Sequence, residues 1–579
     1  MPGLSDQPAE TNSPYAEEAP VGNGITNGTY EAKTTNGSPS KTISTDVLII
    51  GGGFGGTYGL YKFRQLGLDV KLFEAGGYFG GTWYWNRYPG ARVDSETPLY
   101  SLSIPEVYKT WNFSERYVSG DELRRYFKHV DQVLNLSKDA HFNTIVCDAK
   151  YDIEAGEWHV KTTDGNLAKA KYLICATGTS YKKHIPAFKN IDSFQGQLIH
   201  SAAYPADGLD IKGKKIAIIG SGATGLQVVQ ELAPQDCDLT AFVRTPNLAL
   251  PMRQRSISKE EQEGIKHFYQ SIFASAKRSP TGFPYDTAPK TFHEATPDER
   301  RAHYEELWKL GGFGFVVGNY PDYYADRGAN REIYQFWAEK TRQRLKNPVK
   351  RDIMAPLTQP IWYGTKRSSL EQNYFEMIDR DNVTLVDLNK TPIVEFQEKG
   401  ILTSQKLLEF DIIILATGFD AITGSLKDMG LVGIDNVTLR QKWEKGTYTY
   451  LGLTIPKLPN LFMVYSPQAP TSLANGTAII EVQIEWIASA IRKMREKGIK
   501  YVDAQQEAAE KWREEIQTIG NKTLFPETKS WYNGGNIDGK PFEQMLYLAG
   551  LDVYGSTIDR VLEEGEIEWA GFDVVKDGN

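Results

Sequence analysis

A strand, a glycine turn and a helix occur in the same order twice in this chain, and no other feature restricts the fold as much. In TDVLIIGGGFGGTYGLYKFRQLGLDVKLFE, Thr45 to Glu74, the apolar run Val47 to Ile50 is too short for a globular helix and enters glycines directly. That predicts a buried parallel strand ending in a tight turn. Gly51, Gly53 and Gly56 form a GxGxxG. The first permits the turn, the second lets the backbone approach a pyrophosphate, and the third lets the next helix pack closely while its first N–H groups stay free for phosphate. A second strand, Val70 to Phe73, ends on Glu74. A carboxylate about 20 residues past the glycines suits a ribose hydroxyl pair and repels a 2′-phosphate. The unit is expected to cradle the adenosine half of FAD or NAD.

The second copy begins at Lys214, where strand Ile216 to Ile219 enters Gly220, Gly222 and Gly225 before another helix. Its next strand, Leu239 to Val243, ends on Arg244 and Thr245 instead of an acid. A guanidinium beside a hydroxyl suits the 2′-phosphate of NADP. Two fingerprints mean two dinucleotides; the second unit takes NADPH, so the first takes FAD.

Composition narrows the remaining classes. With 40% hydrophobic and 24% charged residues over 579 positions, the chain is expected to fold into two or three globular domains. A net charge of −8 argues against nucleic acid or an anionic membrane surface as partner. No apolar run reaches a transmembrane length of about 18 residues. Cys147, Cys175 and Cys237 are widely spaced, so neither a disulfide framework nor a CxxC redox pair is available, and no metal is expected. Residues 1–42 have no apolar core and no basic start, which predicts a flexible tail and no signal peptide. A cytoplasmic location follows.

In chain order, GGTWYWNRYPGARVD, Gly80 to Asp94, crowds aromatics, arginines and a carboxylate into a loop expected to cover a flat cofactor. Strand Tyr172 to Ala176 ends in Ala176-Thr177-Gly178, and His200 is read as a structural residue at a linker between domains. Residues about 255–345 read as a helical insertion, with helices at Lys259 to Lys277 and Asn330 to Leu345. Lys366 and Arg367 follow a glycine turn, and Asn382 to Leu388 reads as a returning strand. The run Phe410 to Phe419 repeats the strand-to-ATG design, which predicts a return to the first domain. Leu461 to Ser466 offers another strand. The loop after it leads into an amphipathic helix carrying Ile480, Ile484, Ile487, Ile491 and Met494 on one face, with Gly498 as its cap. Trp531 and Tyr532, amid glycines, read as a surface or lid loop. The expected architecture is α/β. Two Rossmann-like domains are formed by residues 43–210 with 400–545 for FAD and 211–399 for NADP, and residues 546–579 are a C-terminal extension.

These residues resemble the class I Baeyer-Villiger monooxygenases over roughly residues 44–545. Gly80 to Asp94 matches that family's [A/G]GxWxxxx[F/Y]P[G/M]xxxD pattern at every specified place. Phe194, Gly196, His200 and Pro205 meet its FxGxxxHxxxW[P/D] pattern, whereas Tyr204 stands where the family has Trp. Tyrosine there leans toward the flavin-containing monooxygenases, so oxygenation of nitrogen or sulfur is the alternative activity; a nucleotide sensor without catalysis is a remote one. The resemblance implies NADPH- and O₂-dependent insertion of oxygen beside a ketone carbonyl through a flavin C4a-peroxide. It implies FAD contacts from Glu74, Thr82, Trp83, Trp85, Asp94 and Tyr100 besides the glycines. NADP contacts are implied for Arg92, Val93, Asp94, Ser221, Gly222, Ala223, Thr224, Gly225, Gln227, Arg244, Thr245 and Lys366. Arg367 is implied as the active-site cation with Asp94 as its orienting carboxylate, and Thr471, Ser472, Leu473 and Gly476 as pocket lining.

Overall fold

The computed structural model describes residues 41–578, apart from residues 284, 564, 566 and 567. Of the expected tail, residues 1–40 lie outside the described residues, and Thr42 already opens the first strand, Thr42–Ile50. That strand pairs in parallel with Val70–Phe73 on one side and Leu167–Cys175 on the other. Its apolar half is fully buried because helices cover the sheet. An eight-stranded sheet results, its outer part turned antiparallel through Glu157–Thr162 and Val146–Asp152.

The second sheet has five parallel strands, in the order Val383–Asp387, Cys237–Val243, Lys214–Ile219, Ile412–Leu415 and Gln197–His200. This corrects two expectations. Ile412–Leu415 does not return to the first unit, and Gln197–His200, expected within the first, is the edge strand of the second. The glycine turns explain why. A Cβ on Gly51 would lie 2.4 Å from the Ala176 carbonyl oxygen, and one on Gly220 would lie 2.4 Å from that of Ala416. Each strand-to-ATG segment therefore closes the glycine turn of its own unit. Repetition of the motif marks the same role in a second unit; it does not mark the same sheet. The chain rejoins the first sheet later, where Leu431–Val432 pairs with Val146–Asp152 and Leu461–Met463 with Leu167–Cys175.

Every helix between Cys237–Val243 and Val383–Asp387 belongs to the insertion or its flanks. The expected helix at Lys259 to Lys277 is broken by a 3-10 turn at Lys266–Phe268, and the next expected one forms as Arg327–Arg342, capped by the Asp326 side chain accepting from Ala329 N. The amphipathic helix Gly476–Glu496 buries Ile480, Ile484, Ile487, Ile491 and Met494 as its 3.6-residue period requires. Two elements of the expected C-terminal extension pack onto the rest of the protein. Helix Leu551–Arg560 packs on Gly476–Glu496 through Gln483 Nε2 to Tyr554 Oη (3.0 Å) and Trp486 Nε1 to the Ile558 carbonyl (2.8 Å), and Phe572–Lys576 pairs with Ile499–Ala504.

Candidate active site

Both glycine turns are built for anions. Helices Phe54–Gln65 and Ala223–Leu232 start at Gly53 and Gly222 with no side-chain cap and no acidic residue in the first turn, so their leading N–H groups remain available to phosphate. The third glycine of each is obligatory: a Cβ on Gly56 would lie 1.8 Å from Gly51 O, and one on Gly225 would lie 2.0 Å from Gly220 O. Gly222 faces open space, with nothing within 4 Å of a Cβ there. These cradles fit two dinucleotides.

The carboxylate of Glu74 is turned to the first turn itself. Its oxygens accept from Gly52 N and Gly76 N, each at 2.6 Å, and burial pushes its pKa up against these two donors. Around it, the Thr82–Trp85 turn exposes Thr82, Trp83 donates its indole N–H to Tyr100 Oη at 3.3 Å, and Trp85 packs edge-on against Tyr181. In the second unit, Ser221 Oγ donates to the Thr245 carbonyl at 2.6 Å. Ala223 is exposed and Thr224 half-buried at the helix start.

The loop Gly80 to Asp94 joins the two units. Tyr88 Oη donates to Gln227 Oε1 at 2.9 Å, and Gln227 Nε2 donates to the Arg92 carbonyl at 3.1 Å. To that contact Arg92 gives its carbonyl, while its guanidinium pairs with Glu115 and the Tyr117 carbonyl. Val93 is buried, its N–H on the Val118 carbonyl, which fixes the backbone that presents Asp94.

At Asp94 the two halves of the molecule converge. Arg367 Nε and Nη2 both reach Asp94 Oδ2 at 2.8 Å, and Nη1 donates to the Ser472 carbonyl at 2.7 Å. The guanidinium lies 4.9 Å from the centre of the Phe313 ring. Burial works against its charge, but the Asp94 carboxylate and the neighbouring Tyr532 and Tyr465 more than offset this, so its pKa is raised and it stays protonated. Lys366, one residue earlier, has its pKa lowered by burial and by Arg244, whose side chain is exposed. The two cations lie near enough for their charges to repel.

The remaining expected residues fall around this pair unevenly. Ser472 takes a left-handed backbone (φ +65°) and its hydroxyl bonds Tyr465 Oη at 3.1 Å. Leu473 packs with Ala421, Ile422, Phe525 and Tyr532. Thr471 is wholly buried, its hydroxyl spent on the Ser466 carbonyl, and a Cβ on Gly476 would meet the Tyr465 ring at 3.8 Å. Tyr532 is 2% exposed, which corrects its reading as a surface residue, and it lies beside Arg367. His200 is fully buried in the edge strand, bonded to the Gly418 carbonyl at 3.0 Å, with its pKa lowered to about 4 by burial and by Lys183. Sequence reasoning missed Phe313, Tyr465 and Tyr532. The one available signal was their aromatic character in loops next to glycine or proline.

Residues 45–268 match the pyridine nucleotide-disulphide oxidoreductase family. The chain is 42% identical to an FAD-binding monooxygenase of Aspergillus aculeatus over 94% of its own length and 91% of the relative's. It is 40% identical to cyclopentanone 1,2-monooxygenase of Comamonas sp. (91% and 96%) and 37% identical to the Baeyer-Villiger monooxygenase of Pseudooceanicola batsensis (91% and 96%). Among solved structures, oxidized steroid monooxygenase bound to NADP superposes with a TM-score of 0.86 at 37% identity, covering 92% of this chain and 100% of that one. Full-length similarity at this level, on a fold with two dinucleotide cradles, means that the chain belongs to the FAD-dependent, NADPH-using Baeyer-Villiger monooxygenases.

Proposed function

We propose that the chain converts a ketone, O₂, NADPH and a proton into an ester or lactone, NADP⁺ and water. FAD, held on the first glycine turn, supplies the oxygen-activating chemistry when bound. The protein's contribution is placement and charge. The observation that carries this reading is Arg367, fixed by Asp94 and the Ser472 carbonyl where the two nucleotide units meet. A guanidinium remains charged at every working pH, so it stabilises negative charge that develops on reacting oxygens. Asp94 orients it, while Lys366 and Arg244 select NADPH by its 2′-phosphate. Ser472, Leu473 and Tyr465 bound the space beside Arg367 in which the ketone sits.

No helix among the described residues is long and apolar enough to cross a membrane. The three cysteines are unpaired, which supports a reducing compartment, and we place the enzyme in the cytoplasm.

The test is a panel of ketones, sulfides and amines with NADPH and air, read by product mass. Esters or lactones from ketones, with NADPH consumed in step, are expected. Sulfoxide or N-oxide formation with no ester from any ketone would replace this reading with heteroatom oxygenation.

A further inference from the structure

Glu96 lies two residues beyond Asp94, and both of its carboxylate oxygens are hydrogen-bonded. Oε1 accepts from the Tyr285 hydroxyl at 2.6 Å and Oε2 from Arg116 Nε at 2.7 Å. Tyr285 belongs to the helical insertion, whereas Glu96 and Arg116 belong to the first unit. The charge pair is mostly shielded, with 18% and 15% of the two side chains exposed, so it is worth more than an ordinary surface pair.

From Tyr285 a continuous set of ring contacts leads to Arg367. The Tyr285 ring stacks on Phe283 at 6.1 Å, Phe283 meets Phe313 edge-on at 5.7 Å, and Phe313 lies under the Arg367 guanidinium. The turn that delivers Phe313 is seated on the same cluster. Gly311 and Gly312 both have left-handed backbones (φ +72° and +60°), and a Cβ on Gly312 would lie 2.3 Å from the Tyr117 hydroxyl and 3.4 Å from that of Tyr285. Only glycine fits there; Gly312 N donates to the Pro251 carbonyl at 2.9 Å, and the two hydroxyls pack beside the turn.

We propose that Glu96 is a positioning residue for Arg367, acting through Tyr285 to fix the Gly311-Gly312 turn and the Phe313 ring against the guanidinium. This rests on the reading of Arg367 given above. One carboxylate segment then positions both partners of the cation: Asp94 in its plane, and Phe313 through the insertion. Loss of the Glu96–Tyr285 hydrogen bond frees Phe313 and lets Arg367 sample geometries in which activated oxygen escapes as hydrogen peroxide instead of entering the ketone.

The experiment compares Tyr285→Phe, Glu96→Gln and the double variant with the parent holoenzyme. It reads NADPH oxidation, ester by mass, hydrogen peroxide and thermal midpoint. Tyr285→Phe removes one hydroxyl and keeps the ring stacked on Phe283, so it serves as the mild variant. The ratio of ester to hydrogen peroxide should fall on the order of tenfold in each single variant, since Tyr285→Phe removes the donor and Glu96→Gln the charge of the acceptor. NADPH oxidation should stay near the parent rate, and the double variant should be no worse than the weaker single one. A lowered midpoint with an unchanged ester-to-peroxide ratio would make the cluster merely structural and overturn the proposal. Arg367→Ala, run in parallel, separates the two claims. If it retains full ester formation, the reading of Arg367 fails and this inference with it. If it loses ester while both Glu96 and Tyr285 variants keep the parent ratio, only this inference fails.

Discussion

Asp94 and Arg367 stand 273 positions apart in the chain, and one carboxylate oxygen of Asp94 accepts from both Nε and Nη2 of Arg367 at 2.8 Å. The pair closes the gap between the FAD unit and the NADPH unit. Each side chain is about one third exposed, so its attraction is partly screened by solvent and its main effect is orientation.

Asp94→Asn keeps the size and one acceptor oxygen but removes the charge. Ester formation is expected to fall on the order of tenfold, with FAD still bound, because the guanidinium stays charged but is less well aimed. Steady-state product analysis alongside the flavin absorbance spectrum checks both halves.

With Lys366 as the proposed 2′-phosphate contact, the nucleotide preference is expected to depend on pH. Burial and Arg244 lower its pKa, so in the free enzyme its charge is lost at a lower pH than for an ordinary lysine. KM for NADPH is therefore expected to rise on the alkaline side, below the ordinary lysine range, while KM for NADH stays flat. Lys366→Ala should raise KM for NADPH on the order of tenfold or more at neutral pH and remove that limb. Equal KM profiles for the two cofactors would contradict this assignment.

The glycines of the second cradle separate folding from binding. Gly225→Ala places a methyl 2.0 Å from the Gly220 carbonyl and must displace strand or helix, so reduced stability and loss of NADPH use are expected together. Gly222→Ala meets nothing within 4 Å, and its backbone has negative φ. That variant should keep its stability within the range of a surface change, about ±0.5 kcal/mol, and still bind NADPH more weakly because the methyl occupies the path of the pyrophosphate. Calorimetry with and without NADP⁺ distinguishes them.

His200 is held neutral in the edge strand. Its pKa falls from 6.5 to about 4 on folding, so the native state binds fewer protons than the unfolded chain between these values. Its contribution is fully present above pH 6.5 and is lost as the pH falls through the folded value, a difference of about 3 kcal/mol at most. Denaturant unfolding of His200→Gln should show a flatter slope with pH over that interval than the parent.

Both dinucleotide cradles were legible in the sequence because the reason for each glycine is local: Gly56 against Gly51 and Gly225 against Gly220 are contacts within one turn. Residue type and the resemblance single out Arg244 and Lys366, whose contact with a 2′-phosphate stands as a proposal. The sheet joined by Ile412–Leu415 was not, since FDIIILATGF resembles the end of Leu167–Cys175 in local sequence. Pairing with Ile216–Ile219 and Gln197–His200 places it in the second sheet. Glu74 was read as a ribose ligand from its position, yet its hydrogen bonds to Gly52 and Gly76 depend on the three-dimensional path of the turn. Phe313, Tyr465 and Tyr532 reach Arg367 from three distant segments, and no periodicity or spacing records such convergence.

Arg367 is proposed to serve oxygen insertion and not cofactor reduction. The direct measurement is ester formed per NADPH consumed in Arg367→Ala, with ¹⁸O₂ as oxidant and product mass as readout. The account predicts retained FAD, continued NADPH oxidation, and labelled ester reduced about 10²- to 10³-fold, the cost of removing one preorganised charge contact. Labelled ester at the parent yield would contradict it.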